Sequence, residues 1–574
     1  MSINNFNYNY IIDSTWMSAS KTRNYLLNDP LIDYLEYITP TKKRKYADTF
    51  LTTIFENGIN FELKIINKLK EKFPNQITTI INTDTTNIIE QIRNPLNFKL
   101  TIDMLNDRVP IIYQGVLHNI ISKTYGSPDL IIRGDYINKI FTTKINLIVD
   151  SLYYIIDIKN SQLCLSANSD NILNQHHLKP YKGQILIYHQ ILSQIQNTDT
   201  NIAFILGNRW IRKKQNLITE SNDPFDRLGI IDYANNDLEY VELVDSAINW
   251  KQLIMNTTDL NYLNPNHPNL YPNMTNQTDP QFKKIKTELA ESNHEITSLW
   301  MCGVKHRNNA LKYNIDNWMD SKLNSKILGI NGKNGRIVDL IIKINQSNTQ
   351  NIYPHKIVYN QSNWRDRNNL AFYIDFETLN KTAFELEKNI QSMNDIIFMI
   401  GIGYSINNNF KYKCLYVKDL SNNEQIKIII QMIKYIKDIS NSYNTDYQNV
   451  NLYHWSNFEP LILSKASNKF NIIYPVFKWI DILEMFHTEP IIINGALNFS
   501  LKTIGKAMYK HGMIKTIWDT DNIVSDGLGA MYEAYKLYQN NNKVARLQLK
   551  QIIKYNLIDC KIMWDILNAL NNIA

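Results

Sequence analysis

Two separate sets of acidic residues, each next to short apolar runs, constrain the fold of this chain most strongly. The first set contains Asp129 and Asp157, and the second contains Asp375, Glu377 and Asp559. Short apolar runs rich in β-branched residues predict buried strands. Because the two sets lie more than 200 residues apart, we expect each to belong to a sheet of its own.

The length of 574 residues exceeds one ordinary domain, and the composition is that of a globular protein. Apolar residues make up 44% and charged residues 20% of the chain, which excludes a disordered chain. We predict an α/β fold with mixed sheets and flanking helices. The predicted domains are an N-terminal extension (1–49), a first domain (50–215), a partly helical connector (216–365) and a second domain (366–574).

Hydrophobic spacing places helices and strands around both acidic sets. In the first domain, Phe50–Phe73 and Gly183–Gln194 predict helices, and Leu130–Ile132, Leu152–Ile158 and Ile202–Leu206 predict strands. Asn261–Pro280 is rich in Asn, Pro and Thr, which break regular structure. In the second domain, the predicted strands are Ala371–Ile374, Ile396–Gly403 and Lys411–Tyr416, and the predicted helices are Glu424–Lys437, Glu459–Ser467 and Leu547–Leu570.

The first acidic set has the residue types that phosphodiester hydrolysis needs. Asp129 opens one predicted strand and Asp157 lies at the end of the next, so strand pairing would bring two hard oxygen ligands for Mg²⁺ together. Lys159 shares a strand face with Asp157, from which its ammonium can orient water or stabilise developing charge. Glu62, on the preceding helix, is a further candidate ligand. Gln184 and Tyr188 are one helical turn apart and are candidate nucleic-acid contacts.

The second set predicts a site for two metal ions. Asp375 and Glu377 alternate on one strand, which places both carboxylates on the same face. Glu459 begins a helix, and Asp559 lies on the last predicted helix, one turn after Tyr555. Four acids from three elements can surround two ions about 3.5–4 Å apart. Tyr555 would then position the attacking water.

These residues resemble two known nuclease groups. Gly126-Ser127-Pro128-Asp129, Asp157-Ile158-Lys159 and the pair Gln184 and Tyr188 resemble the GxPD, (D/E)xK and QxxxY elements of RecB-like PD-(D/E)xK nucleases. The second set resembles the tyrosine-bearing branch of the DEDD exonucleases, which have an RNase H-like fold. One departure is Glu459, where that group usually has Asp. Asp481 is the alternative ligand, and a helix-cap role for Asp481 stays open beside it.

The order of both sets resembles RecB-like nucleases fused to a YprB-type RNase H-like domain, over roughly residues 50–570. The likeness includes the middle of the chain, at Leu270–Met274, Glu295–Trp300 and Gly495–Gly505. It implies that part of Asn261–Pro280 is an ordered connector. It also implies a restriction-endonuclease-like first domain and a 3′–5′ exonuclease-like second domain.

The resemblance implies a nuclease that uses Mg²⁺ or Mn²⁺ in DNA replication, repair or recombination. DNA is the favoured substrate, RNA is the alternative, and a helicase is a candidate partner. Two further hypotheses stay open. In one, only one site is active and the other domain is a nucleic-acid-binding platform. In the other, the chain is a non-enzymatic scaffold.

Four scattered cysteines predict a reducing, intracellular location, cytoplasmic or nuclear, and not a secreted protein. Since Cys164 is the single cysteine in the first domain, four-thiolate ligation of an iron–sulfur cluster is not expected there. No stretch reaches the roughly 20 apolar residues of a membrane span. Frequent Asn, Ile, Lys and Tyr are typical of an AT-rich genome, such as that of a large virus.

Overall fold

The computed structural model describes residues 8–39, 47–81, 87–215, 217–256, 267–347, 349–357, 364–365, 370–379, 396–518, 527–539 and 543–573. The chain divides into two compact units, residues 1–287 and 288–574.

The first unit combines a large mixed sheet with helices. Its helices are α1 (Arg23–Leu26), α2 (Leu31–Ile38), α3 (Ala47–Lys72), α4 (Ile88–Arg93), α5 (Pro95–Asn106), α6 (Gly134–Ile140), α7 (Lys179–Gln196), α8 (Glu239–Asn256) and the start of α9 (Lys283–Ser292). Its strands are β1 (Met17–Ser18), β2 (Ile77–Thr79), β3 (Ile111–Tyr113), β4 (Leu117–Asn119), β5 (Thr124–Gly126), β6 (Leu130–Arg133), β7 (Tyr153–Leu165), β8 (Ile202–Lys214), β9 (Leu217–Ser221) and β10 (Gly229–Asp232).

The large sheet has the strand order β10-β8-β7-β6-β3-β2, and β9 pairs with the outer part of β8. The pairs β7–β8 and β2–β3 are parallel, whereas β6 is antiparallel to both of its neighbours, β3 and β7. The strands β1, β5 and β4 form a separate three-stranded sheet in the order β1-β5-β4. The antiparallel β6–β7 pairing is the contact that brings the two aspartates of the first set together.

Side-chain alternation along the strands supplies two hydrophobic cores, one on each face of the sheet. Ile131 and Ile155 belong to the core that contains the α7 residues Ile185 and Leu186. The residues next to them along the strands, Leu130, Ile132 and Ile156, belong to the other core. That core also contains the α3 residues Phe61, Ile65 and Leu69. Full burial of each such side chain contributes roughly 1.5–3 kcal/mol. The helices α3 and α7 therefore cover opposite faces of the strands that carry Asp129 and Asp157.

The compact first unit differs in extent from the predicted first domain (50–215). Gly229–Asp232 pairs with β8, so the sheet continues past residue 215. The Trp250 indole donates to the Pro30 carbonyl at 3.2 Å, and buried Lys286 forms an ion pair with Asp29 at 2.5 Å. Both the predicted extension and part of the predicted connector thus pack into this unit, through contacts between residues that are far apart in the sequence.

The second unit contains a five-stranded sheet with helices. Its strands are β11 (Ile352–Tyr353), β12 (Leu370–Leu379), β13 (Ile396–Ile406), β14 (Asn409–Tyr416), β15 (Asn451–His454), β16 (Lys478–Asp481) and β17 (Ile492–Ile493). Its helices after α9 are α10 (Val304–Leu311), α11 (Ser325–Leu328), α12 (Gly332–Ser347), α13 (Asn422–Ser442), α14 (Phe458–Phe470), α15 (Ile482–Thr488), α16 (Leu501–Lys510), α17 (Gly527–Gln539) and α18 (Lys543–Asn571).

The sheet order is β14-β13-β12-β15-β16, with β12 in the centre. β12 is antiparallel to β13 and parallel to β15, and β15 is parallel to β16. The buried face of α18, with Ile552, Ile562, Met563 and Ile566, supplies apolar side chains to the core. This arrangement places the end of β12, the start of α14 and the middle of α18 in one unit.

The α/β fold with mixed sheets and flanking helices is confirmed. Within the implied connector, residues from 267 on are described, and Asn273 is buried with its amide donating to the Leu27 carbonyl at 3.3 Å; residues 257–266 lie outside the described part. That this segment is the family's connector stays a prediction. Across the described residues, no helix has the length and apolar character that a membrane span requires.

Candidate active sites

The first candidate site is formed where β6 and β7 pair. Leu130 lies opposite Ile156 in this antiparallel pair, so Asp129, just before β6, lies beside Asp157 and Ile158. Asp129 Oδ2 accepts a hydrogen bond from the Ile158 amide at 2.6 Å. Lys159 Nζ lies 2.5 Å from Asp157 Oδ2 and 3.9 Å from Asp129 Oδ2. The structure thus brings together three of the predicted residues, with the ammonium next to both carboxylates.

Electrostatics in this site keep Lys159 charged. Burial acts to lower the pKa of Lys159, but the Asp157 and Asp129 carboxylates outweigh it and the pKa is raised. Burial, followed by the charges of Asp157 and Glu62, raises the pKa of Asp129 well above its usual range, against the effects of Lys159 and the Ile158 amide. Lys159 therefore acts as a cation and not as a base.

Glu62 reaches this region from α3. Its Oε1 accepts hydrogen bonds from the Tyr113 hydroxyl at 2.9 Å and from the Gln114 amide at 3.0 Å. Its charge contributes to the raised pKa of Asp129, so it acts electrostatically on this member of the first set. Glu62 is thus positioned by neutral donors, and its carboxylate can still accept a cation.

Gln184 and Tyr188 lie on α7, behind the first site. Gln184 Nε2 donates to the Tyr188 hydroxyl at 2.9 Å, and Tyr188 is only 3% exposed. A Cβ added to Gly126 would lie 2.5 Å from Tyr188 Cε1, so the absent side chain leaves room for the ring. Burial, followed by the Asp157 charge, raises the pKa of Tyr188. Contact of this pair with nucleic acid stays a prediction, and the structure shows the tyrosine ring packed close to Gly126.

The second candidate site has a tighter arrangement of acids. Asp375 and Glu377 lie on β12 and Asp559 lies on α18, and each offers a carboxylate oxygen within 4.8 Å of the others. Within the described part of the chain, these three acids form the group of His, Cys, Asp or Glu side chains that is spaced closely enough to hold a metal ion. Hard oxygen donors of this kind are the ligands that Mg²⁺ and Mn²⁺ take in proteins.

Two residues that the sequence analysis did not single out hold these acids in place. Asn556 Nδ2 donates to Asp375 Oδ2 at 2.6 Å and lies 3.5 Å from Glu377 Oε1, while its own Oδ1 accepts from the Tyr412 hydroxyl at 2.8 Å. The Trp518 indole donates to Asp559 Oδ1 at 2.6 Å. Asn556 lies three residues before Asp559 on α18, so a polar residue on a buried helix face was the available signal. The sequence around Trp518 gave no such signal.

The crowded acids retain protons more readily than free carboxyls do. Burial, followed by the Asp559 charge, raises the pKa of Glu377 to about 8. Burial also raises the pKa of Asp559 to about 6, against the Trp518 indole, Lys502 and the Tyr555 hydroxyl. The pKa of Asp375 is raised well above its usual range by burial, then by Asp559 and Glu377. Two buried carboxyls and a partly exposed one that repel one another form a donor set that a divalent cation would stabilise.

Glu459 lies in the first turn of α14, next to this group. It is 4% exposed, and its Oε2 accepts no hydrogen bond from the described residues; His454 Nδ1 lies 3.7 Å away. Burial, with Asp481 and Glu377, raises the pKa of Glu459 to about 8, while burial lowers the pKa of His454. A neutral imidazole offers little compensation, so Glu459 Oε2 is a buried oxygen that a metal ion would satisfy.

Asp481 has the geometry of a helix cap. Its Oδ1 accepts hydrogen bonds from the backbone amides of Ser456 at 3.0 Å, Leu483 at 2.9 Å and Glu484 at 3.4 Å. The Leu483 and Glu484 amides lie in the first turn of α15, whose N-cap is Asp481, and the Ser456 amide follows β15. Between the two roles that the sequence left open, this geometry favours the cap.

Tyr555 completes the second site. Its ring is buried one turn before Asp559, and burial, followed by the charge of Asp559, raises its pKa. The phenol therefore keeps its proton and can orient a water molecule by hydrogen bonding. The ammonium of Lys502, on α16, lies 4.6 Å from the centre of this ring.

The comparisons with known proteins concern the second unit. A family model described as RNase_H superfamily matches residues 382–571, about a third of the chain. The matched range includes Glu459, Tyr555 and Asp559, and begins after Asp375 and Glu377. No curated protein matches the chain. The likeness of the first unit to RecB-like nucleases stays a prediction, and the C-terminal part of the chain is an RNase H-like domain, which supports a nuclease-type activity on nucleic acids.

Proposed function

We propose that this chain is a divalent-metal-dependent nuclease with two active sites, and that DNA is its substrate. The observation that carries the proposal is the group of Asp375, Glu377 and Asp559 oxygens within 4.8 Å of one another, in a domain of RNase H type. Raised pKa values at three adjoining acids, two of them buried and one partly exposed, are typical of a functional site. A pair of bound cations would account for them.

In the second site, Asp375, Glu377, Asp559 and Glu459 would hold Mg²⁺ or Mn²⁺. When bound, such ions supply a metal-activated water and neutralise charge on the phosphate. Asn556 fixes the Asp375 carboxylate, and Trp518 fixes Asp559. Tyr555, protonated because its pKa is raised, would orient the water. The resemblance to the DEDD exonucleases makes 3′–5′ exonucleolytic cleavage the expected reaction at this site.

In the first site, Asp129, Asp157 and Glu62 would hold the metal, and Lys159 would face the scissile phosphate. The raised pKa of Lys159 keeps it positively charged, so it stabilises the negative charge that develops in the transition state. This site rests on the RecB-like resemblance and on the β6–β7 geometry. A helicase as partner, and a role in DNA replication, repair or recombination, are parts of the same proposal.

A second candidate is a chain with one working site. The observation that favours it is the short ion pair between Lys159 and Asp157, which occupies an oxygen of the first site that a metal would need. In that case the first unit would bind nucleic acid without cutting it.

The test is cleavage of end-labelled single- and double-stranded DNA and RNA with Mg²⁺ or Mn²⁺. Asp157→Ala and Asp375→Ala should each abolish one separable activity, and the double variant should abolish both. Matched controls are the exposed aspartates Asp245 and Asp438, changed to Ala, which should cut like the wild type. A double variant that still degrades DNA at the wild-type rate would contradict the proposal, and a wild-type activity lost with Asp375→Ala alone would favour the single-site candidate.

A further inference from the structure

Lys502 is a cation at the edge of the second site. It lies in the first turn of α16, and its side chain is half-buried. Its ammonium lies 4.6 Å from the centre of the Tyr555 ring and 6.0 Å from that of Trp518. Two cation–π contacts fix the position of a lysine that would otherwise have a flexible side chain.

Both aromatic partners of Lys502 are linked to Asp559. The Trp518 indole donates to Asp559 Oδ1 at 2.6 Å, and the Tyr555 hydroxyl also bonds to this carboxyl. The positive charge of Lys502 acts on Asp375, Glu377 and Asp559 alike. The ammonium is therefore within electrostatic reach of all three acids that lie closest together.

The charges in the proposed site indicate why a further cation is useful there. Four carboxylates and two divalent ions sum to zero, whereas a phosphodiester carries one negative charge and gains another when hydroxide attacks it. A preorganised cation at that point stabilises the transition state more than the ground state. In the proposed first site, Lys159 is likewise a cation beside acids, although it forms a direct ion pair with Asp157.

We propose that Lys502 binds a non-bridging oxygen of the substrate phosphodiester in the second site, next to the water that Tyr555 orients. The inference deepens the proposed nuclease function and rests on it. In chemical terms the ligand is the phosphate of a nucleic-acid strand, and Lys502 is a substrate-binding residue.

The competing role is purely electrostatic support, in which Lys502 only reduces repulsion among the acids. The two roles predict different results. If Lys502 only supports the acids, Lys502→Gln changes the Mn²⁺ affinity and leaves the affinity for nucleic acid unchanged at saturating metal. If it binds phosphate, Lys502→Gln lowers the affinity for nucleic acid and the salt dependence of that affinity even when the metal is saturating.

The experiment uses the full chain with Asp157→Ala, so that the first site is disabled. Lys502→Gln and Lys502→Arg are compared with Lys506→Gln, one turn further along α16, where the lysine is exposed. Cleavage of a single-stranded oligonucleotide is measured with Mg²⁺, its binding with Ca²⁺ over a range of salt, Mn²⁺ binding by calorimetry, and folding by thermal unfolding.

For Lys502→Gln we expect cleavage to fall about 100-fold or more. The slope of log affinity against log salt should decrease by about 0.7, the value for one lost phosphate contact on a single strand. Lys502→Arg should retain most of the activity, and Lys506→Gln should match its parent.

The inference is overturned if Lys502→Gln equals Lys506→Gln in binding and cleavage, or if only its Mn²⁺ affinity changes. Absence of cleavage in the Asp157→Ala parent would contradict the proposed activity of the second site, while the Ca²⁺ binding comparison would still decide whether Lys502 contacts phosphate.

Discussion

Gly401 lies directly opposite Asp375 in the β12–β13 pair, and it leaves the space that the Asn556 amide fills. A Cβ added at Gly401 would collide with Asn556 Oδ1 and lie 3.1 Å from Cys560 Sγ. The absent side chain therefore lets α18 approach the sheet closely enough for Asn556 to hold Asp375.

The first prediction is that Gly401→Ala impairs the second site. Because Asn556 must move, Asp375 loses its donor, and we expect at least a tenfold loss of the activity that Asp375→Ala removes. Overpacking should also cost about 1–3 kcal/mol of stability. Gly527→Ala, where an added Cβ meets nothing within 4 Å, is the control. Adding Asn556→Ala should restore stability without restoring activity; recovery of activity would show that Asn556 does not position Asp375.

The second prediction concerns Gly126 and Tyr188 in the first site. A Cβ at Gly126 would lie 2.5 Å from Tyr188 Cε1, so Gly126→Ala should force the ring to move. With the second site disabled by Asp375→Ala, we expect at least a tenfold decrease in cleavage. Tyr188→Phe, which removes only the hydroxyl that Gln184 bonds, should have a smaller effect. Equal rates for Gly126→Ala and its parent would indicate that the first site tolerates this shift.

The sequence predicted best what depends on neighbours along the chain. Branched apolar runs predicted the strands that carry Asp157 and Asp375 and the strand that Asp129 precedes, and the predicted strand Leu152–Ile158 coincides with β7 from Tyr153 on. The predicted helix Gly183–Gln194 likewise lies within α7 (Lys179–Gln196). In these segments, alternation and helical spacing reflect the two faces that each element buries.

Contacts between distant residues could not be predicted in this way. Asn556 reaches Asp375 across 181 positions, and Trp518 reaches Asp559 across 41. The pairing of β10 with β8, and the burial of Lys286 against Asp29, depend likewise on the packing of whole elements. A single sequence contains no local pattern for such pairs, so the supporting residues of the second site and the full extent of the first unit appear only in the structure.

The third prediction is a loss of stability in acid that depends on His118. Burial lowers the pKa of His118 to about 4, from 6.5 in the unfolded chain, and its ring bonds the Tyr10 hydroxyl and the Ile92 carbonyl. As the pH falls below 6.5, the unfolded state gains a proton that the folded state does not, so stability decreases until both are protonated near pH 4. The contribution is on the order of 3 kcal/mol.

Urea unfolding at pH 7 and pH 4.5 would measure this effect. His118→Gln should lose less stability than the wild type over this range, and the exposed His355→Gln should behave like the wild type. An unchanged difference between the two pH values in His118→Gln would assign the acid sensitivity to other groups.

The fourth prediction concerns the buried pair of Lys182 and Asp237. Lys182 is fully buried, and its Nζ bonds Asp237 Oδ1 at 2.5 Å and Asn174 Oδ1 at 2.7 Å. Asp237→Ala leaves a buried ammonium without its counter-ion, which should cost about 3–5 kcal/mol. Burial already lowers the pKa of Lys182, so the penalty should be smaller at pH 9 than at pH 6, because a neutral amine is easier to bury. The double change of Lys182→Met and Asp237→Leu should recover most of the stability, as measured by urea unfolding; failure to recover would show that the hydrogen bonds to Asn174 matter more than the charge.

The fifth prediction separates Glu459 from Asp481. Glu459 Oε2 is buried without a hydrogen bond from the described residues, whereas three backbone amides bond Asp481 Oδ1. Glu459→Gln keeps the shape and removes the charge, so we expect at least a tenfold weaker affinity for Mn²⁺ with unchanged or higher thermal stability, since a buried acid with a raised pKa is costly to ionise. Asp481→Ala removes a helix cap, so it should lower stability by about 1 kcal/mol and leave Mn²⁺ affinity intact. Calorimetric titration with Mn²⁺ and thermal unfolding of both variants distinguish the two roles. If Asp481→Ala no longer binds Mn²⁺ and Glu459→Gln still does, Asp481 is the fourth ligand and Glu459 only packs beside the site.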